Sequence, residues 1–359
     1  MNSSECSLDI FQNKLKDVAN EIKNNNCFSW INPHSNEKNL IKGMIISPDT
    51  DGFVSALLLN EIFNWEVIGF YDGKRLILDK NFDFNSNDIK NKVVFIDIEI
   101  IKENIKSVGH HLLLFDSDSK KLNYKIRKLK NVCIQPNNWR NIDAKNSFER
   151  KYPYGTFHFL LSLIYYLDPG NRKISFSEGT IKKAITPTLY IDGVFKNMFN
   201  YPENCLDWLE YMSNKDNNHP LEKIFGYHTT PKDLMDLMKN FFSEINNFWH
   251  NNNRKNRKNG KLNLENDIDE NEKIIKNTYK KILTEYLEYL AEKYDWNFNE
   301  NLWPVFSNKL NIYNLNKNIK QLSKKNYIEM LNKSNLISFA ITSKSRDGLE
   351  YTLDENSIF

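Results

Sequence analysis

Short apolar runs alternate with helically spaced apolar residues in the first half of the chain. Residues 8–24 have helical spacing, which predicts an amphipathic helix. Five apolar runs of strand length follow, at residues 43–47, 65–71, 93–98, 111–116 and 131–136. Helices are predicted between them at residues 52–63 and 101–107. Buried strands separated by helices favour a parallel α/β sheet.

The chain changes character after Tyr154, where helical spacing replaces the short runs. Helices are predicted at residues 155–167, 181–191, 204–212 and 231–249. Residues 250–272 are polar, highly charged and almost without apolar residues, which predicts a flexible linker. A helix at 273–294 and two strands within 335–353, joined at an Asp-Gly turn, are predicted beyond it.

These patterns divide the chain into four predicted parts. We expect a helical extension over residues 1–42, an α/β domain over 43–249, the linker over 250–272, and a smaller α+β domain over 273–359. A chain of 359 residues, of which 40% are apolar, is long enough to build one large and one smaller core.

Composition adds little about partners. The 49 Lys and Arg against 46 Asp and Glu give a formal charge of +3, which does not by itself indicate nucleic acid or an acidic membrane. No segment has the pattern of a signal peptide or the length of a membrane span, so we expect a cytoplasmic protein without membrane contact. The cysteines, Cys6, Cys27, Cys133 and Cys205, form no C-x-x-C pair, which argues against a zinc ribbon or disulfide framework.

Aspartates follow the predicted strands and a later apolar segment. The set comprises Asp49, Asp51, Asp97, Asp116, Asp118 and Asp192. The carboxyl ends of parallel strands face a common crevice, where two like charges about 4 Å apart repel by roughly 4 kcal/mol at an effective dielectric near 20. A cluster of these aspartates at such a crevice would therefore need a cation to balance its negative charge. Oxygen ligands without cysteine favour Mn²⁺ or Mg²⁺, and a carboxylate shared by two ions makes a two-metal site suited to phosphoester hydrolysis.

Each aspartate also has an ordinary structural explanation. An Asp-Gly pair is common in turns, and an aspartate before a helix is a common N-cap. An EF-hand beginning at Ser47 is excluded, because the position of its bidentate glutamate falls on Leu58. A haloacid-dehalogenase-like phosphatase remains an alternative, although its nucleophile loop has threonine or valine where Phe53 stands here.

Four segments together resemble the DHH phosphoesterase superfamily in their order and spacing. SPDTDGFVSALLL is similar to its first motif, in which a strand delivers D-x-D-G into a helix. VVFIDIEI is similar to the second motif, with Asp97, and TPTLYIDG to the fourth, with Asp192. GHHLLLFDSD is similar to the third, with the D-H-H letters on Asp116, Ser117 and Asp118.

The resemblance implies a DHH-like domain and a metal-dependent phosphodiesterase acting on single-stranded nucleic acid or short nucleotides, with two Mn²⁺ or Mg²⁺ ions. The metal ligands in this interpretation are Asp49, Asp51, Asp97, Asp116 and Asp192. The catalytic set is Asp49, Asp51, Asp97, Asp116 and Asp118.

The chain departs from the superfamily pattern at two places. Ser47 stands where many members have a histidine, and Ser117 and Asp118 replace the two histidines of D-H-H. The pair His110-His111 precedes the predicted strand and is therefore not assigned to that motif. These departures leave a second hypothesis open, a non-catalytic module that binds a nucleotide, a nucleic acid or a protein partner within a larger complex.

Three residues are candidates for substrate binding. Arg346 lies beside the predicted Asp-Gly turn, and its guanidinium can bind a phosphate bidentately. Asn138 and Arg140 follow the last predicted strand of the sheet and are placed at the mouth of the crevice. His158, on an apolar helix face, is instead expected to be a packed core residue.

Overall fold

The computed structural model describes residues 14–25, 28–82, 91–102, 104–116, 126, 129, 132–250, 260–344, 347–355 and 358. Its strands are β1 (Gly43–Ile46), β2 (Glu66–Tyr71), β3 (Arg75–Asp79), β4 (Val93–Ile96), β5 (Lys106–Val108), β6 (Cys133–Ile134), β7 (Ile268–Asp269), β8 (Ile274–Ile275), β9 (Leu310–Asn314), β10 (Asn316–Lys320), β11 (Leu336–Ile341) and β12 (Leu349–Leu353). Its α-helices are α1 (Leu15–Asn25), α2 (Thr50–Phe63), α3 (Pro136–Trp139), α4 (Thr156–Leu167), α5 (Glu178–Tyr190), α6 (Val194–Asn200), α7 (Pro202–Ser213), α8 (Pro220–Phe225), α9 (Pro231–His250), α10 (Asn277–Lys293) and α11 (Lys324–Leu331).

A seven-stranded sheet with the order β6-β5-β4-β1-β2-β3-β9 lies at the centre of this α/β fold. β2, β1, β4, β5 and β6 run parallel, whereas β3 and then β9 extend the edge by antiparallel pairing. The chain passes from β1 to β2 on one side and returns to β4 on the other. The carboxyl ends of β1 and β4 therefore flank the point where the strand order reverses, which is where open α/β sheets bind ligands.

Helices cover the strands that meet at this point. Every residue of β1 and β4 is buried, as expected of parallel strands enclosed by helices. α2 contacts both of these strands, and α4, which is buried along its whole length, packs between α1 and α2. No helix among the described residues combines the length and apolar character needed to cross a membrane.

The chain between β4 and β6 differs from its prediction. The described residues of 101–107 form no helix, and Lys106–Val108 instead pair in the sheet as β5. The strand predicted at 111–116 is also wrong, since only an isolated bridge at Leu114 forms there. Leu112, Leu113 and Leu114 are fully buried. This run is apolar because its side chains are buried in the core, although its backbone does not pair in the sheet.

The segment predicted as a linker is packed wherever the structure describes it. Leu262 and Leu264 are fully buried, and the Leu262 N–H donates to the carbonyl of Pro48 (2.8 Å). Residues 251–259 lie outside the described residues. The prediction of a flexible linker is therefore wrong for residues 260–272, where a few apolar side chains suffice to fix the chain.

The last part of the chain contributes to two sheets. β9 joins the edge of the large sheet, and α10 packs against α2. β10, β12 and β11 form a separate antiparallel sheet, on which Tyr327 of α11 packs against Phe339. The predicted strand pair within 335–353 is present as β11 and β12.

Candidate metal centre

Asp49 and Asp51 stand at the junction between β1 and α2. Asp49 is the N-cap of α2, and its carboxylate accepts from the Gly52 N–H (3.3 Å) and from the Ser47 hydroxyl (2.8 Å). Asp51 lies in the first turn and is almost completely buried. Its carboxylate accepts from the N–H groups of Thr156 (2.6 Å) and Phe157 (2.9 Å), so the N-terminal end of α4 holds it in place.

The close approach of Asp51 to α4 depends on Gly155. A Cβ atom on this residue would lie 2.8 Å from Asp51 Oδ2 and 2.6 Å from the side chain of Ile191. Any larger residue would therefore push the start of α4 away from the carboxylate.

Asp97 follows β4 in a left-handed backbone conformation, with φ of 64°. One of its carboxylate oxygens accepts from the Thr156 hydroxyl (2.7 Å) and lies 3.4 Å from His110 Nδ1 and 3.3 Å from His111 Nε2. Asp97 is buried. An unusual backbone conformation at a buried polar residue is typical of functional sites.

His110 and His111 follow β5, and their rings lie 3.9 Å apart between centroids. His110 is buried, with Nδ1 2.9 Å from the Thr156 hydroxyl and Nε2 2.9 Å from Asp192 Oδ2. The His111 side chain is 42% exposed and reaches the opening of the site. Asp192, in the 3₁₀ turn after α5, is also left-handed, with φ of 52°.

Together these residues form two possible ligand groups that share one imidazole. Asp97, His110 and His111 make one group, and Asp51, His110 and Asp192 make the other, with the ligand atoms of each within 4.8 Å of one another. The set draws on the ends of β1, β4 and β5 and on the turn after α5. We call these residues, with Asp49, the carboxylate–histidine cluster.

Crowding raises the pKa of two of the carboxylates. Burial, together with the charges of Asp97 and Asp192, raises the pKa of Asp49 to about 6. The same causes raise the pKa of Asp51 well above its usual range. The Lys261 ammonium, 4.0 Å from Asp49, opposes the shift at that residue. Further positive charge would favour the ionised forms of both carboxylates, and a bound cation would supply it.

At Asp97 and His110 the neighbouring charges shift the pKa in favour of the charged form of each group. Burial would raise the pKa of Asp97, but the nearby His111 and His110 outweigh it and hold that pKa well below its usual range. Burial would lower the pKa of His110, yet Asp192 and Asp97 raise it well above its usual value. The carboxylate of Asp97 and the imidazole of His110 thus favour each other's charged forms.

Several residues predicted from the sequence lie elsewhere. Asp116 is buried beside α11, with Oδ2 3.9 Å from Lys324 Nζ, and is not part of the carboxylate–histidine cluster. Its assignment as a metal ligand fails because no strand ends there. Asp118 and Arg346 lie outside the described residues.

Of the two other substrate-binding candidates, Arg140 is engaged through its side chain, and Asn138 forms a hydrogen bond through its backbone. The Arg140 guanidinium pairs with Asp207 (2.9 Å) and stacks on the ring of Trp208 (4.4 Å). The Asn138 N–H donates to Gln135 Oε1 (2.6 Å), which caps α3. His158 is a packed core residue, as predicted.

Sequence reasoning missed His110, His111 and Thr156 as members of the site. The signal was present as a short strand, KSV, followed directly by Gly-His-His. It was obscured by the more apolar run that comes next. Comparisons with protein-family models, curated proteins and solved structures found no match for this chain.

Proposed function

We propose that the protein is a divalent-cation-dependent phosphoesterase whose active site is the carboxylate–histidine cluster. The observation that carries this proposal is the convergence of Asp51, Asp97 and Asp192 from separate elements around His110, where all but Asp192 are buried. So many carboxylates around one point are unstable without a cation. Their location at the reversal of the strand order is where this type of sheet binds ligands.

The donor atoms favour Mn²⁺ over Mg²⁺. Carboxylate oxygens suit both ions, but an imidazole nitrogen is a better ligand for Mn²⁺. The described part of the cluster contains no thiolate, which most structural zinc sites use. His110 lies in both ligand groups and Asp97 contacts both histidines, so we expect a site for two ions.

The individual residues have distinct roles in this proposal. Asp51, Asp97, His110 and Asp192 hold the ions, and Asp49 completes the site from the N-cap of α2. Bound ions would polarise a phosphoryl oxygen and promote deprotonation of a water molecule. The His111 side chain is 42% exposed, so its ring is accessible for contact with the substrate phosphate. Thr156 orients Asp97 through its hydroxyl.

The resemblance to the DHH superfamily supports this proposal once the third motif is moved. Gly109-His110-His111 follow a strand of the sheet directly, as D-H-H does in the pattern, whereas Asp116-Ser117-Asp118 follow no strand. In the family the first of these histidines helps to hold a metal and the second lies near the scissile phosphate. In this alignment both histidines of the motif are present, which supports the catalytic hypothesis over the non-catalytic module.

We propose single-stranded nucleic acid or a short nucleotide as the substrate, as the resemblance implies. The test is Mn²⁺ binding by calorimetry, together with hydrolysis of bis(p-nitrophenyl) phosphate, labelled single-stranded DNA and RNA, and dinucleotides. Asp97→Asn removes a ligand, while Asp116→Asn changes a buried carboxylate outside the cluster and serves as the matched control. We expect Asp97→Asn to weaken Mn²⁺ binding more than about 100-fold, since even outer partners of metal ligands change affinity 10–100-fold.

Two outcomes would contradict the proposal. Equal Mn²⁺ affinity of the Asp97→Asn and Asp116→Asn variants would show that the cluster is not a metal centre. Tight Mn²⁺ binding without turnover of any of these substrates would instead favour the second hypothesis, a module that binds its ligand without hydrolysing it.

A further inference from the structure

Buried side chains hold most of the loop that carries the two histidines. Residues 109–112 leave β5, where the Gly109 N–H still donates to the Ile134 carbonyl of β6 (3.1 Å), and buried polar side chains bind the backbone beyond it. The Leu112 N–H donates to Glu99 Oε1 (2.8 Å), and the Leu112 carbonyl accepts from Gln135. The His110 carbonyl accepts from Asn137 Nδ2 (3.1 Å). We call this segment the histidine loop.

Glu99 differs from Gln135 and Asn137 in being a buried carboxylate. It lies two residues beyond Asp97, at the end of β4, and reaches across to the neighbouring strand. Burying an ionised group is costly unless it is hydrogen-bonded or paired. Its charge acts on the ammonium of Lys151, whose pKa burial lowers while Glu99 and Asp192 oppose that shift.

The Glu99 carboxylate occupies the space beside Gly109 that a side chain would otherwise fill. A Cβ atom on Gly109 would lie 2.7 Å from Glu99 Cδ and 2.9 Å from each of its carboxylate oxygens. Atoms do not approach so closely, so any larger residue at position 109 must displace either the carboxylate or the loop. Gly109 and Glu99 are therefore structurally coupled.

We infer that Glu99 is a positioning residue of the metal centre, one that fixes the histidine loop so that the rings of His110 and His111 reach Asp97 and Asp192. This inference rests on the proposed function of the cluster. Glycine precedes the two histidines, and the chain beyond β4 brings the Glu99 carboxylate into the space beside it. Such outer partners orient metal ligands and tune affinity.

Four variants test the inference. Glu99→Ala removes the carboxylate, Glu99→Gln keeps an oxygen that can accept from Leu112, and Gly109→Ala introduces the steric conflict. The double variant Glu99→Ala with Gly109→Asp removes the carboxylate at position 99 and places a carboxylate in the same space from position 109, which follows β5. Each is compared with the wild-type protein for Mn²⁺ affinity and for amide hydrogen exchange of residues 110–112 in the metal-free state.

We expect Glu99→Ala and Gly109→Ala to weaken Mn²⁺ binding about 10–100-fold and to accelerate exchange of the loop amides. Glu99→Gln should have a smaller effect on exchange, because the hydrogen bond to Leu112 is kept. The double variant should recover most of the affinity lost in Glu99→Ala. A purely structural role would not show this recovery, since the second substitution adds a further change to a buried site.

Unchanged exchange and Mn²⁺ affinity in Glu99→Ala would overturn the inference, as would a double variant that binds Mn²⁺ no better than Glu99→Ala. Should Glu99→Ala fail to fold, Glu99→Gln and the double variant decide the question. The exchange measurement needs neither metal nor substrate. A protein that binds no Mn²⁺ would therefore refute the proposed function, while exchange of the loop amides would still decide whether Glu99 holds the loop.

Discussion

Two buried histidines lie beside the N-terminal end of α4, and their surroundings give them opposite properties. His110 is 6% exposed and His158 is fully buried. His110 contacts Asp97 and Asp192 through its two ring nitrogens. His158 accepts from the Gly155 N–H (3.2 Å) with Nδ1, and its Nε2 lies 3.0 Å from the carbonyl of Thr188.

Burial lowers the pKa of both rings, but only at His110 do the neighbouring carboxylates outweigh this effect. For His158 burial dominates, and its pKa is about 4, so the ring is neutral at physiological pH. For His110 the carboxylates dominate, and its pKa is raised well above the usual value. The chemical role of a buried histidine thus follows from its charged neighbours and not from its degree of burial.

Exchanging each histidine for asparagine gives the sharpest test of this difference. We expect His110→Asn to weaken Mn²⁺ binding more than about 100-fold, because it removes the ligand shared by both groups of the cluster. His158→Asn is the matched control and should leave Mn²⁺ affinity within about 3-fold of wild type. Calorimetry at neutral pH measures both. Similar losses in the two variants would show that the integrity of α4, and not ligation, determines metal binding.

The pH dependence of stability gives the next largest effect. The pKa of His158 is about 4 in the folded protein and near 6.5 in an exposed histidine. Between these values the unfolded chain binds a proton at this residue that the folded protein does not, so the contribution of His158 to stability is lost as the pH drops from 6.5 to 4. The contribution of His158 is about 3 kcal/mol, since one pKa unit corresponds to about 1.4 kcal/mol. Urea unfolding of the metal-free protein at several pH values measures it.

The variant that tests this contribution is again His158→Asn. As the pH falls from 6.5 to 4, its stability should rise relative to that of wild type, because only wild type loses the His158 contribution. His219, with a pKa of about 3, and Asp49, with a pKa of about 6, act in opposite directions and affect both proteins alike, so the difference between the two curves isolates His158. Parallel stability curves for the two proteins would mean that His158 does not resist protonation in the fold.

At neutral pH His158→Asn should have a smaller cost. The substitution leaves a small cavity and weakens the contact with the Thr188 carbonyl, for which we expect a loss of about 2 kcal/mol. The same urea experiment at pH 7 gives this value. No measurable loss would indicate that the ring is not part of the packed core.

The sequence predicted the aspartate positions better than it predicted the histidines. Asp49, Asp51 and Asp97 were placed correctly at strand ends, because fully apolar strands such as β1 and β4 have unmistakable limits. β5 is different. Only Lys106, Ser107 and Val108 form it, and its one apolar residue is a weak signal beside the run of leucines that follows.

The leucine run misled the prediction because its backbone groups are satisfied by side chains. Gln135 and Glu99 bind the peptide groups of Leu112, so this segment is buried without pairing in the sheet. Contacts of this kind join residues far apart in the chain and leave no periodic pattern. The error placed a strand end, and with it a predicted metal ligand, at Asp116, which contacts Lys324 and not the cluster.

Arg140, which the sequence predicted to bind substrate, is a third case in which the neighbours of a charged side chain indicate its role. Its guanidinium is 12% exposed, pairs with Asp207 and lies over the rings of Trp208 and Tyr211. A cation so engaged is not free to bind a phosphate. We therefore expect Arg140→Gln to lower the stability by about 1 kcal/mol, the scale of a partly exposed ion pair with a cation–π contact. The KM for a hydrolysed substrate should not change, because the ion pair and the ring contacts of Arg140 give this side chain a structural role. A rise in KM without a loss of stability would return Arg140 to the substrate site and show that neighbours alone do not decide the role of a charged side chain here.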